Sequence, residues 1–186
     1  VSATGWQIGP RLACHTGGEC LATWGDPRTG GSDYDIYARR FASDGAPAGA
    51  EFIVSVAPHH AGTPAVAANT FDGSALAVWN GNPTGGSSYN IYGQVIRSSG
   101  TLSGANLTLS SSGTHKTSPN VAYNSTDRNY LVVWADYQSP NYRIYGHVVS
   151  AGGALSGTND LFIANADNSG GQPSLAYNAA NNEYLV

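Results

Sequence analysis

Methionine is absent from this 186-residue chain, lysine occurs once, at Lys116, and cysteine twice, at Cys14 and Cys20. The missing methionines include an initiator, so Val1 is expected to be a processed or truncated end. One lysine and seven scattered arginines, of which only Arg39 and Arg40 are adjacent, within a formal charge of −4, provide no basic stripe to neutralise phosphates. That excludes nucleic acid as a partner and disfavours anionic membrane surfaces. No apolar run approaches the roughly 20 residues that cross a bilayer, and no basic-then-apolar leader precedes Val1. A long stretch of helical period is also lacking.

What the chain has in plenty is turn formers and aromatic residues. Twenty-four glycines, nine prolines, eleven tyrosines and four tryptophans, with 41% hydrophobic and only 11% charged residues, describe an all-β protein with a real core and many short strands joined by tight turns. The strands recur. Leu21-Ala22-Thr23-Trp24, Leu76-Ala77-Val78-Trp79 and Leu131-Val132-Val133-Trp134 place their tryptophans 55 residues apart, and a fourth copy begins at Tyr184-Leu185-Val186. Pro10, Pro64, Pro119 and Pro173 open the units, and Tyr34-Asp35-Ile36-Tyr37, Tyr89-Asn90-Ile91-Tyr92 and Tyr142-Arg143-Ile144-Tyr145 lie near their middles. Self-similarity at one fixed period is the signature of a repeat architecture.

Each unit resolves into four strands. The first follows the proline and alternates with period two, as in Pro119-Asn120-Val121-Ala122-Tyr123. The second, Tyr130 to Trp134 in the third unit, is nearly continuous in apolar residues and is predicted to be buried on both faces. The third runs from Tyr142 to Val149, and the fourth is short: Glu51 to Val54, Asn106 to Leu109 or Asp160 to Ile163. Asp44-Gly45, Ser99-Gly100 and Gly152-Gly153 turn the chain between the last two. Four-stranded antiparallel units of about 55 residues read as blades of a β-propeller, with three full blades (about 10–55, 64–110 and 119–165) and a half blade over 173–186. Val1-Ser2 matches the end of a fourth strand. The chain is therefore expected to be a single repeat domain that is incomplete, closed by further chain or by self-association, since an open sheet exposes pairing edges.

The segment Tyr89 to Ile96, Tyr-Asn-Ile-Tyr-Gly-Gln-Val-Ile, following a Leu-x-Val-Trp strand, resembles the β-propeller repeats of large secreted bacterial surface proteins, often written Asp-Ile-Tyr-Gly-Gln-Arg-Phe. Unit one departs with Ala38-Arg39-Arg40-Phe41, and unit three with Gly146-His147-Val148-Val149. The resemblance implies an exported scaffold at the cell surface and leaves the ligand open.

Aligning the units puts Cys14 where Tyr123 and Tyr177 stand, and Cys20 where Tyr130 and Tyr184 stand. These are expected cross-strand neighbours. A directly opposed, non-hydrogen-bonded pair has Cα atoms about 4.5 Å apart, within reach of a disulfide. The alternatives are a metal pair with His15 or two free thiols. A bridge implies an oxidising, extracellular or cell-surface location.

Trp24, Trp79 and Trp134 offer faces on which a sugar can stack, but their place at the end of the most apolar strand favours packing between blades. The loops after them hold Asp26, Asp33 and Asp35, then Asn80, Asn82, Ser87, Ser88 and Asn90, then Asp136 and Asn141. Asp26, Tyr34, Asn82, Tyr89, Asp136 and Tyr142 are the candidate ligand-binding residues, with glycans or surface proteins as the expected partners. Turn formation by Asx side chains is the plainer account of the loop oxygens. Their spacing fits no calcium motif, so no cofactor or metal is expected, calcium remaining an open alternative. Catalytic residues are not evident: most of the acids, Asp167 among them, fall in turns, and His15, His59, His60, His115 and His147 lack an adjacent nucleophile motif. The expected function is an extracellular binding or scaffold module. The alternatives are a fragment of a carbohydrate-active enzyme that uses paired carboxylates and a structural subunit that polymerises through open strand edges. Asn106-Leu107-Thr108 and Asn124-Ser125-Thr126 match the glycosylation sequon.

Overall fold

The structure, a computed structural model, describes residues 6–28, 33–55, 61–82, 84–111, 113–157, 160–166 and 171–186. Val1, Ser2, His59, His60 and Asp167 lie outside them. Among the described residues there is no helix, and therefore none long and apolar enough to cross a membrane. The strands form three four-stranded antiparallel meanders and a two-stranded hairpin. Sheet one contains β1 (Ile8–Cys14), β2 (Cys20–Asp26), β3 (Asp35–Phe41) and β4 (Phe52–Ile53). Sheet two contains β5 (Ala65–Ala68), β6 (Ala75–Gly81), β7 (Asn90–Ile96) and β8 (Leu102–Ser110). Sheet three contains β9 (His115–Asn124), β10 (Asn129–Gln138), β11 (Asn141–Ser150) and β12 (Leu161–Asn165), and β13 (Ala176–Asn178) pairs with β14 (Glu183–Leu185).

Burial explains why the second strand of each sheet is apolar without alternation. In β6, Leu76 and Val78 enter a core shared with Val121, Tyr130, Val132 and Trp134 of sheet three. Ala75, Ala77 and Trp79 enter another shared with Leu21, Ile36 and Ala38 of sheet one. Successive side chains of a strand point to opposite faces, so a strand sandwiched between two neighbouring sheets must be apolar at every position. Trp79 and Trp134 are buried in these seams; Trp24 is buried in sheet one outside both clusters, stacked beside Tyr37, and Trp6 is exposed.

The turn between the first two strands is built alike each time. Asn69 Oδ1 accepts the Phe71 N–H at 2.8 Å, Asn124 Oδ1 that of Thr126 at 2.9 Å and Asn178 Oδ1 that of Ala180 at 3.1 Å; in sheet one His15 Nδ1 accepts from Gly17 at 3.0 Å. A left-handed residue follows, Gly18, Gly73, Arg128 or Asn182. The Cβ of Arg128 makes that backbone costly, and its guanidinium lies 3.9 Å over the Phe71 ring of the preceding turn. Thr16 also donates to the Thr70 carbonyl, and the Thr126 and Tyr177 hydroxyls meet at 2.7 Å. Neighbouring turns are thereby tied along one rim.

At the base of these turns the opposed pairs are Cys14–Cys20, Ala68–Ala75, Tyr123–Tyr130 and Tyr177–Tyr184. Cys14 and Cys20 form a disulfide across a Cα separation of 4.0 Å. Both sequon asparagines are engaged: Asn124 is buried, and Asn106 Nδ2 donates to the Val54 carbonyl and to Gln94 Oε1.

A second recurrent pair joins the third strand to the fourth. Arg39 faces Glu51 at 3.9 Å, Gln94 faces Asn106 at 2.7 Å and His147 faces Asp160 at 3.6 Å. The residue types change together: two opposite charges, two amides, then an imidazole with a carboxylate. Asp160 Oδ2 also accepts from Ser110 of sheet two at 2.5 Å.

Candidate functional site

The candidate loops leave the ends of β2, β6 and β10. Register places Asp26 opposite Asp35, Gly81 opposite Asn90 and Asp136 opposite Arg143, so Asp26 and Asp136 share one position and Asn82 stands one residue further on. All three polar side chains are buried. Asp26 accepts from Trp24 Nε1 at 3.2 Å, from Arg28 Nη2 at 2.5 Å and from the Arg28 backbone N–H at 2.9 Å. Burial acts to raise its carboxyl, but the bonds from Arg28 and Trp24 outweigh it and the net shift is downward. Arg28 continues to Glu51 at 2.8 Å and stacks 4.2 Å from the Tyr37 ring centroid. Asn82 Oδ1 accepts the Thr84 N–H at 3.1 Å while its amide donates to the Gly86 carbonyl, closing the loop on itself.

Asp136 has a different partner. Lys116, fully buried on β9, brings its Nζ to 3.9 Å from Asp136 Oδ2 and donates to Thr114 Oγ1 at 3.0 Å. Burial lowers the lysine's pKa despite the attraction of Asp136 and Asp160. Asp136 Oδ1 and the Trp134 indole N–H have no hydrogen-bond partner among the described residues.

The three tyrosines are half-buried and share a backbone role: Tyr34, Tyr89 and Tyr142 carbonyls accept N–H bonds from Ala61, Lys116 and Ala166 at 2.8, 3.2 and 2.9 Å. They lie at the end of the sheets opposite the turns between first and second strands, and the rings of Tyr89 and Tyr142 have partners the sequence did not flag. Tyr89 meets His115 edge-on at 5.1 Å, and Tyr142 lies 5.0 Å from Tyr137, which is 38% exposed.

A second feature emerges where the first strands converge. Arg11, Thr63, Ser118, Asn120, Gln172 and Ser174 line one groove of about 400 Å³ together with Pro64, Pro119 and Pro173. Four successive units thus bring residues beside their opening prolines to one place, from the first strand or the segment just before it. Among the described residues, Arg11 is the only charged side chain in the wall. Ser118 and Gly9, each immediately before its proline, have φ of +52° and +54°, beside breaks in strand register. The prolines were legible as unit markers; that the residues beside them meet across four strands follows from how the sheets are arranged.

No group of three or more His, Cys, Asp or Glu side chains among the described residues is placed to hold a metal ion.

No family model matches the chain, and no curated protein matches it significantly. Solved structures do share its fold. A Hadza microbial sialidase, Hz136, superposes with a TM-score of 0.66 at 11% identity over 86% of this chain and 37% of its own. The endo-arabinase from Bacteroides thetaiotaomicron VPI-5482 gives 0.56 at 14% identity over 94% of this chain and 67% of its own. This chain therefore spans little more than a third of the sialidase it resembles.

Proposed function

We propose that the three sheets and the hairpin are successive blades around a common axis, part of a secreted β-propeller whose role is to bind carbohydrate or to present a scaffold at the cell surface. The observation that carries the reading is the groove: residues beside the opening prolines of four successive units wall one cavity, as expected when repeats are arranged around an axis. The Cys14–Cys20 bridge supports an oxidising compartment. Fold similarity to a sialidase and an endo-arabinase, both named for action on sugars, supports a saccharide as ligand. Tyr34, Tyr89 and Tyr142, with Tyr137 and His115, offer stacking faces on the rim. Asp26 and Asn82 support this by holding their own loops, while Asp136 pairs with Lys116 of the neighbouring strand.

The same similarities support a second reading, a part of a carbohydrate-active enzyme. The disposition of acids separates the two: glycoside hydrolysis needs a carboxyl pair about 5–10 Å apart at the sugar, whereas no carboxylate lines the groove among the described residues. A glycan array read beside a turnover assay on the bound polysaccharides tests the choice. Binding without turnover is expected. Hydrolysis lost on substitution of one acid would establish the enzyme, and a blank array would leave only the scaffold.

A further inference from the structure

The central groove holds one ionisable side chain, and we propose that it binds a saccharide carrying a carboxylate, with the Arg11 guanidinium receiving the carboxylate and the Ser118 hydroxyl a neighbouring sugar oxygen. This rests on the carbohydrate-binding reading and specifies the ligand class for it. The volume of about 400 Å³ lies within the range of small-molecule sites, about 300–1,000 Å³. Apart from Arg11, its polar lining consists of hydroxyls and amides, groups that exchange hydrogen bonds with sugar hydroxyls without a charge of their own.

Arg11 stands out by position and by charge. The residues that follow the four unit-opening prolines are Arg11, Ala65, Asn120 and Ser174, so one strand in four delivers a cation to the groove of a chain whose formal charge is −4. The side chain is exposed, and its bond within the protein is from Nη1 to the carbonyl of Pro10, at 3.1 Å. A guanidinium has five donors in a planar fork, so an edge suited to a carboxylate is still available.

Ser118 supplies an independent observation. The residues preceding the same prolines are Gly9, Thr63, Ser118 and Gln172. Gly9 and Ser118 both adopt left-handed backbone, which glycine enters freely and serine does not. At Gly9 a Cβ would come within 2.6 Å of the Thr63 side chain, so packing demands glycine there. Ser118 retains a side chain on strained backbone, and its hydroxyl has a single long contact, 3.4 Å to Thr117 Oγ1. Strain held in the wall of a cavity marks a residue kept for what its side chain touches.

Calorimetric titration of the full chain with three matched sugar pairs, galacturonate and galactose, glucuronate and glucose, mannuronate and mannose, tests the assignment. At least one acid should bind about tenfold or more tightly than its neutral partner, the difference expected of a charge-assisted contact. Arg11→Gln should erase that difference while leaving the thermal midpoint unchanged. Ser118→Gly should raise the midpoint by relieving the backbone and still weaken the acid several-fold, whereas a merely structural serine would raise the midpoint alone. Equal affinity within every pair, or an acid preference that survives Arg11→Gln, overturns the inference and leaves the carbohydrate-binding reading standing. Silence of all six sugars together with a blank glycan array removes both.

Discussion

Sheets one and three solve the same position in opposite ways. Each has an aspartate two residues after the tryptophan of its second strand. Asp26 is saturated by Trp24 and by Arg28, a cation that is itself part-exposed. Asp136 faces Lys116, buried with it, and keeps one oxygen and the nearby indole N–H unpaired. Sheet two avoids the problem, placing Ala61 opposite Gly81. Two carboxylates with nearly identical burial therefore carry different liabilities. A cation at the edge can be partly replaced by water, whereas a cation sealed inside cannot, and removing it strands a charge in low dielectric.

The largest expected effect follows directly. Lys116→Met should destabilise the protein by about 3–5 kcal/mol, whereas Arg28→Met should cost about 1–2 kcal/mol, both measured by chemical denaturation. Equal losses would break the comparison. Adding Asp136→Ala to Lys116→Met should return about 2 kcal/mol or more, because the stranded charge leaves with its partner. A double variant no more stable than the single one would place the cost in packing.

The other end of the same strands extends the contrast, since sheet one has a disulfide where sheet three has Tyr123 against Tyr130. Replacing both Cys14 and Cys20 by Ala should cost about 2 kcal/mol for so short a loop, read as a lower denaturation midpoint that reducing agent no longer shifts.

Acidity provides the subtlest test. The lowered Asp26 carboxyl contributes stability that is present above the unfolded value of 3.8 and is lost as pH falls through the folded one, a loss absent in Asp26→Asn. For Lys116 the sign reverses. Between its lowered folded value and 10.5 the unfolded chain holds a proton that the native protein has released, so stability rises with pH, and Lys116→Met should flatten that rise. The comparison belongs below pH 10, since burial has raised Tyr130 and pushed Tyr184 up to about 12, and these oppose the trend above it.

Local periodicity made much of this legible. Trp79 and Trp134 announced seams because a strand apolar at every position must be covered on both faces, whereas Trp24 is buried outside both seams. The Cys14–Cys20 pairing followed from its alignment with opposed tyrosines. What periodicity could not carry was the relation between side chains from different sheets. Lys116 reads as an ordinary surface lysine until Asp136 is found across the ladder and sheet two over it. The oxygens of Asp26 and Asn82 read as a polar rim, yet their partners lie two residues along their own loops. Arg11 and Ser118 acquire meaning only once four strands converge.

The co-varying pairs between third and fourth strands have a consequence for assembly. A polypeptide of similar units risks joining a strand to the wrong sibling, since main-chain ladders are indifferent to sequence. Were β11 to pair with β8, His147 would meet Asn106; were β7 to pair with β12, Gln94 would meet Asp160. Arg39 finds its opposite charge in Glu51, just before β4. Each unit carries its own pair, and a mismatched strand would exchange a charged or amide partner for one of another kind. A fold made of look-alike pieces thereby specifies the order in which they stand.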